Sequence, residues 1–143
     1  MNDLTAASAL QLQVRLQGIQ LGRPVDLLLV TETWQVLGFV VRCRDESERF
    51  LPYAASQPAA DEIKVGSALM LLDDVGFYRS RAASFRELLG EEVAQGRRRA
   101  GSLRDLVLGP GGRVTELLVE RDGATVRVPA TACRLASRRA SAA

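Results

Sequence analysis

Arginines and carboxylates are the side chains best equipped for chemistry in this 143-residue chain, which contains no histidine and only two cysteines. The missing imidazole excludes a histidine general base, a histidine metal ligand and a histidine pH switch. Cys43 and Cys133 stand far apart, form no CxxC unit and no local zinc cluster, and read as ordinary core thiols. Asp73-Asp74 and Glu91-Glu92 are paired along the chain but are joined to no histidine, cysteine or lysine constellation. Neighbours in an extended segment point to opposite faces, so both pairs read as loop charge, with carboxylate-only chemistry as the alternative. Gly109-Pro110-Gly111-Gly112 has neither the P-loop lysine nor the spacing of a dinucleotide fingerprint, and reads as a turn. No catalytic residue, cofactor or metal site is expected.

What remains is positive charge. The chain carries 19 basic and 17 acidic residues, and all the basic ones except Lys64 are arginine. Residues 1–75 hold 6 basic and 10 acidic side chains and residues 76–143 hold 13 and 7, so the balances are −4 and +6. Arg79, Arg81 and Arg86 precede Arg97, Arg98 and Arg99, while Arg134, Arg138 and Arg139 add charge near the C-terminus. Tyr78 lies beside the first group, and Trp34 falls in or beside a turn, where it is a contact candidate if exposed and a core residue if buried. A mixed aromatic and cationic surface suits a protein partner or a stacked nucleotide. Opposite charge on the two halves also suits a homodimer.

These residues must be positioned by short β elements. Leu27 to Val30 and Val36 to Cys43 read as strands around a turn at Thr31 to Gln35, and Phe50, Leu51 and Tyr53 as an apolar return, with Pro52 at a strand end. Residues 102–135 reproduce this order: at an offset of 78, Val25 matches Leu103, Leu28 matches Leu106, Val36 matches Val114 and Val40 matches Leu118. Asp122-Gly123 is the sharpest hairpin signal. Residues 63–72, IKVGSALMLL, read as the strand closing the first half. Ser84 and Glu87 have capping-box spacing for a short helix whose Phe85, Leu88 and Leu89 cover one side, and Gly90 ends it. Phe77 and Phe85 are expected between the two halves.

In the second half, FRELLGEEV, SLRDLVLGPGGRVTELLV and VPATACRL resemble the successive segments of the PRC-barrel family, and this half is similar to the PRC-barrel domain of the ribosome maturation factor RimM. The first half resembles the same pattern through LGRPVDLLLV, QVLGFVVRCR and FLPYAA. The resemblance covers roughly residues 14–139 and implies a mainly β chain of two tandem small PRC-like β-barrels, 1–75 and 76–143, with short helical or 3₁₀ connections. It brings no family-wide catalytic residues. It implies a noncatalytic adaptor or scaffold that binds a protein, with two alternatives: a ribosome- or RNA-associated assembly factor using the arginine-rich half, or a small-molecule module or carboxylate enzyme. The N-terminus lacks a basic region followed by an apolar run, and no apolar stretch is long enough to span a membrane, so a cytoplasmic setting is expected.

Overall fold

The computed structural model describes residues 3–136. The chain opens with a single helical turn, α1 (Ala6–Ala9), and continues through β1 (Gln13–Leu16), β2 (Ile19–Val30), β3 (Gln35–Cys43), β4 (Glu48–Pro52), β5 (Ser56–Pro58) and β6 (Glu62–Val65). A link containing α2 (Val75–Arg79) leads to β7 (Ala83–Ser84) and α3 (Phe85–Leu88). Then follow β8 (Glu92–Gln95), β9 (Arg98–Leu108), β10 (Val114–Arg121), β11 (Ala124–Pro129) and β12 (Cys133–Leu135). The strands form two sheets, ordered β4-β3-β2-β1-β6-β5 and β11-β10-β9-β8-β12, with β7 added to β2. Together they make a mainly β, curled half-barrel that does not close. No helix among the described residues is long and apolar enough to cross a membrane.

The curl has a local cause that both passages share. In the β2–β3 pair the register slips at Val25 and again at Leu37, and in the β9–β10 pair it slips at Arg104 and at Thr115. Each slip is a bulge, which bends its strand and increases the right-handed twist. The bulges also fix how the passages correspond. Leu27 stands opposite Phe39 and Leu106 opposite Leu117, so β2 and β9 match at an offset of 79, while β3 and β10 keep 78. Hence the matches of Val25 with Leu103 and Leu28 with Leu106 are wrong by one residue. Leu27-Leu28-Leu29 is apolar throughout, and such a run does not reveal its own face.

Three other expectations change. The strand expected over 63–72 stops at Val65, because Ser67 accepts a hydrogen bond from the Leu69 N–H and starts a 3₁₀ turn over Ala68–Met70. Leu72 returns only as a single bridge to Phe50. Leu89 is exposed while Phe85 and Leu88 are buried, so α3 covers the core with two residues rather than three. Phe77 is exposed and does not pack between the halves. The Asp122-Gly123 turn forms as expected, with φ of 53° and 80° suited to the twist of a two-residue hairpin.

The two halves share one core and exchange their opening segments. Ala83-Ser84 pairs with Leu29 and Leu28 of β2, and reciprocally Thr5 bridges to Val107 of β9 while the Leu108 N–H donates to the Leu4 carbonyl. At matched bulges an acid receives the helix that arrives. Asp26, 6% exposed, accepts from the Ser84 hydroxyl, the Arg86 N–H at 3.2 Å and the Leu27 N–H at 2.8 Å. Asp105 accepts from the Ala7 N–H at 3.0 Å and the Leu106 N–H at 2.8 Å. Helices this short do not survive alone, since isolated ones need roughly 12–15 residues. They are held by these acids, by their N-caps Thr5 and Ser84, and by burial of Ala6, Ala9, Phe85 and Leu88. Burying a phenylalanine or leucine contributes about 1.5–3 kcal/mol, more than a cap's ~1 kcal/mol, so packing dominates and the acids set the geometry.

Asp26→Ala is expected to lower unfolding stability by about 2–4 kcal/mol and Asp105→Ala by about 1–2 kcal/mol, because Asp26 is more buried and leaves an extra hydroxyl unsatisfied. Urea denaturation reads this as a lower midpoint at constant slope. Equal losses would refute the ranking.

Candidate interaction surface

The fold divides the arginine-rich stretch between its two sheets. Val75 and Tyr78 of α2 cover the outer face of the first sheet, over Leu28, Val40 and Phe50, with Tyr78 stacked on Phe50 at 3.9 Å between centroids. Arg79 lies 3.8 Å from both Asp26 and Glu48. Arg81 sits 3.6 Å over the Phe77 ring and also donates to the Phe77 carbonyl. Arg86 donates its Nε to the Val25 carbonyl. Arg79 and Arg86 therefore clasp the link to the first sheet, Arg81 folds back on the link itself, and half-buried Tyr78 is packed by its ring rather than presented.

Arg97, Arg98, Arg99 and Arg134 collect at one end of the second sheet. Arg97 lies in the β8–β9 turn, Arg98 and Arg99 start β9, and Arg134 donates from neighbouring β12 to the Gly96 carbonyl at 2.7 Å. Arg99 grips Glu92 through two contacts, at 2.5 and 3.1 Å, which push its pKa up. Arg97 and Arg98 are exposed and form no ion pair among the described residues. Arg138 and Arg139 lie outside the described residues. On the outer face of this sheet Arg127 pairs with Asp3 and Glu116, and Arg104 with Glu120. Exposed pairs of this kind contribute about 0–1 kcal/mol each.

Trp34 is not a surface contact. It is 4% exposed, and its indole N–H donates to the Cys133 carbonyl at 3.0 Å, across 99 residues. Its φ of 53° lies in the left-handed region, which costs a non-glycine residue roughly 1–2 kcal/mol. Ring burial, the indole bond and the Val114 N–H bonded to its own carbonyl at 2.9 Å offset that cost. Tryptophan at a turn fitted either location, and the packing of the second half against the turn decides for burial.

Sequence reading missed the surface that stands out most. Ile19, Leu69 and Met70 are 62%, 86% and 42% exposed. Ile19 lines a groove of about 500 Å³ whose lining also includes the apolar Leu21, Ala68 and Leu71, Cys43, and the charged Arg44, Asp45 and Arg49. Arg49 is paired with Asp73, whereas Arg44 has no ion-pair partner among the described residues. Ser47 donates from both hydroxyl and N–H to Asp45 and holds its carboxyl below the usual range. Gly66-Ser67 inside the apolar run was the available signal, since a serine followed by a short turn is an N-cap pattern.

No group of three or more metal-ligating side chains is present among the described residues. Both thiols are free, and burial raises the pKa of Cys43, partly countered by Arg49, as well as that of Cys133. A raised pKa leaves less thiolate at neutral pH, so native alkylation is expected to be slower at both than at free cysteine and to quicken as pH rises. Labelling followed by intact mass checks this: two rapid additions under native conditions would contradict it, whereas two rapid additions in denaturant are expected. No protein-family model matches the chain, and no curated protein matches it either.

Proposed function

We propose that the chain is a noncatalytic protein-binding adaptor made of two PRC-barrel-like modules, working in the cytoplasm with its thiols reduced. The observation that carries this reading is the groove of about 500 Å³ lined by exposed Ile19 with Leu21, Ala68 and Leu71, the last two flanking the exposed Leu69 and Met70 in the chain. Contiguous exposed apolar surface rimmed by polar residues is the physical mark of a contact site. Arg44 in its lining favours a partner segment that combines apolar anchors with a carboxylate. The shared core and exchanged openings supply the rigid frame that such a platform requires.

A second reading rests on the basic end of the second sheet: contact with RNA or the ribosome. Arg99 is neutralised by Glu92 and Arg134 is bonded to a carbonyl, which leaves Arg97, Arg98 and the exposed Arg121 at the end of β10 as the readily available charges. Three phosphate contacts give a salt slope of only about −3, a weak anchor beside an apolar groove.

Affinity capture with the intact chain separates the readings. A protein retained at high salt by wild type, lost with Leu69→Glu and kept by the Arg97→Glu/Arg98→Glu double variant supports the adaptor. Light scattering of wild type beside Leu69→Glu tells whether that partner is a second copy. Nucleic acid captured at low salt and lost only in the arginine variant would overturn the adaptor in favour of RNA.

A further inference from the structure

We infer that the crevice where α3 meets the first half binds a compact oxyanion with the size and charge of phosphate. A cavity of about 240 Å³ opens there, lined among others by Gln11, Gln13, Arg23, Pro24, Val25 and Arg86. Its lining includes two arginines and two glutamines but no aspartate or glutamate, and the Gln13 amide oxygen accepts from Arg15 at 2.8 Å, which adds a third guanidinium beside the lining. Two arginines bordering one small cavity repel each other, and a dianion bound there offsets that repulsion. Planar guanidinium forks match the paired oxygens of a phosphate.

The surrounding bonds prepare the site. Arg86 is anchored at its main-chain N–H by Asp26 and at its Nε by the Val25 carbonyl, which holds the guanidinium against β2. The Asp26 carboxylate does not line the cavity; it receives the Ser84 hydroxyl and faces Arg79 at 3.8 Å. Arg23 is exposed and in no ion pair among the described residues, although it also borders the neighbouring groove that contains Glu46. The volume falls below the roughly 300–1,000 Å³ of sites for drug-sized molecules, which restricts the occupant to a small ion or the phosphate end of an ester. Gln11, Gln13 and Arg23 come from the first passage and Arg86 from the second, so a bound anion would hold the two halves together. The site stands apart from the apolar groove, and Leu69→Glu should leave it intact.

The test is a two-dimensional amide NMR titration of the full chain with inorganic phosphate at constant ionic strength, with glycerol phosphate and acetate in parallel. Saturable shifts at Gln11, Gln13 and Val25, with a higher thermal midpoint as phosphate rises, are expected. Arg23→Gln should weaken binding about tenfold and Arg44→Gln should not. Tighter binding of glycerol phosphate assigns the site to an ester, and equal binding to free phosphate. The spectrum of Arg23→Gln verifies its fold; Arg86→Gln, which also loses the bond to Val25, serves as second variant. Shifts that follow ionic strength alone, an unchanged affinity in folded Arg23→Gln, or acetate binding as tightly as phosphate would each overturn the assignment.

Discussion

The way the two halves meet depends on two carboxylates placed at matching bends. Asp26 and Asp105 each follow a bulged residue, Val25 or Arg104, and each accepts the N–H of the next residue together with donors from the opening segment of the other half. A carboxylate withdrawn from water is costly unless its oxygens are occupied. Asp26 therefore requires Ser84 and Arg86 nearby, and satisfying it draws β7 onto β2 and brings Phe85 and Leu88 into the common core. Asp105 makes the same requirement of Ala7, more weakly because it is less buried. Polar groups thus choose the orientation, and apolar area provides most of the stabilisation.

Much of this was legible in the sequence, and the failures have identifiable causes. The mainly β class, the repeated order of strands, the Asp122-Gly123 turn and the Ser84 cap are visible because turn chemistry and caps are local. The one-residue correction between β2 and β9 comes from a continuous apolar run, where periodicity vanishes. Trp34 could not be placed from its neighbours because its partners, the Cys133 carbonyl and Val114, lie in the other half. The arginine-rich stretch looked continuous because sequence distance cannot show that α2 lies on one sheet while Arg97 to Arg99 end the other.

The same contrast separates the halves as surfaces. The first sheet covers its outer face with Val75 and Tyr78, whereas the second leaves its own to Arg104, Arg127 and their acidic partners. Part of the conspicuous charge, at Arg79, Arg99, Arg104 and Arg127, is thereby engaged in intramolecular pairs of small energetic value, while the apolar side chains of Leu69 and Met70 are exposed. Net charge therefore points toward the second half, and the desolvation available on contact points toward the first. One fold hosts many functions through different surfaces, so the surfaces rather than the fold carry the functional argument.

The exchanged opening segments also govern the order in which the structure can be completed during synthesis. Chains emerge from the ribosome N-terminus first. β2 is present early, but the residues that occupy its edge and satisfy Asp26 appear 58 to 60 positions later. The Ala7 N–H waits 98 positions for Asp105. A nascent first half thus holds an unfilled strand edge and a partly unanswered acid until the second half is made, so the contacts that complete both halves become available only late in synthesis.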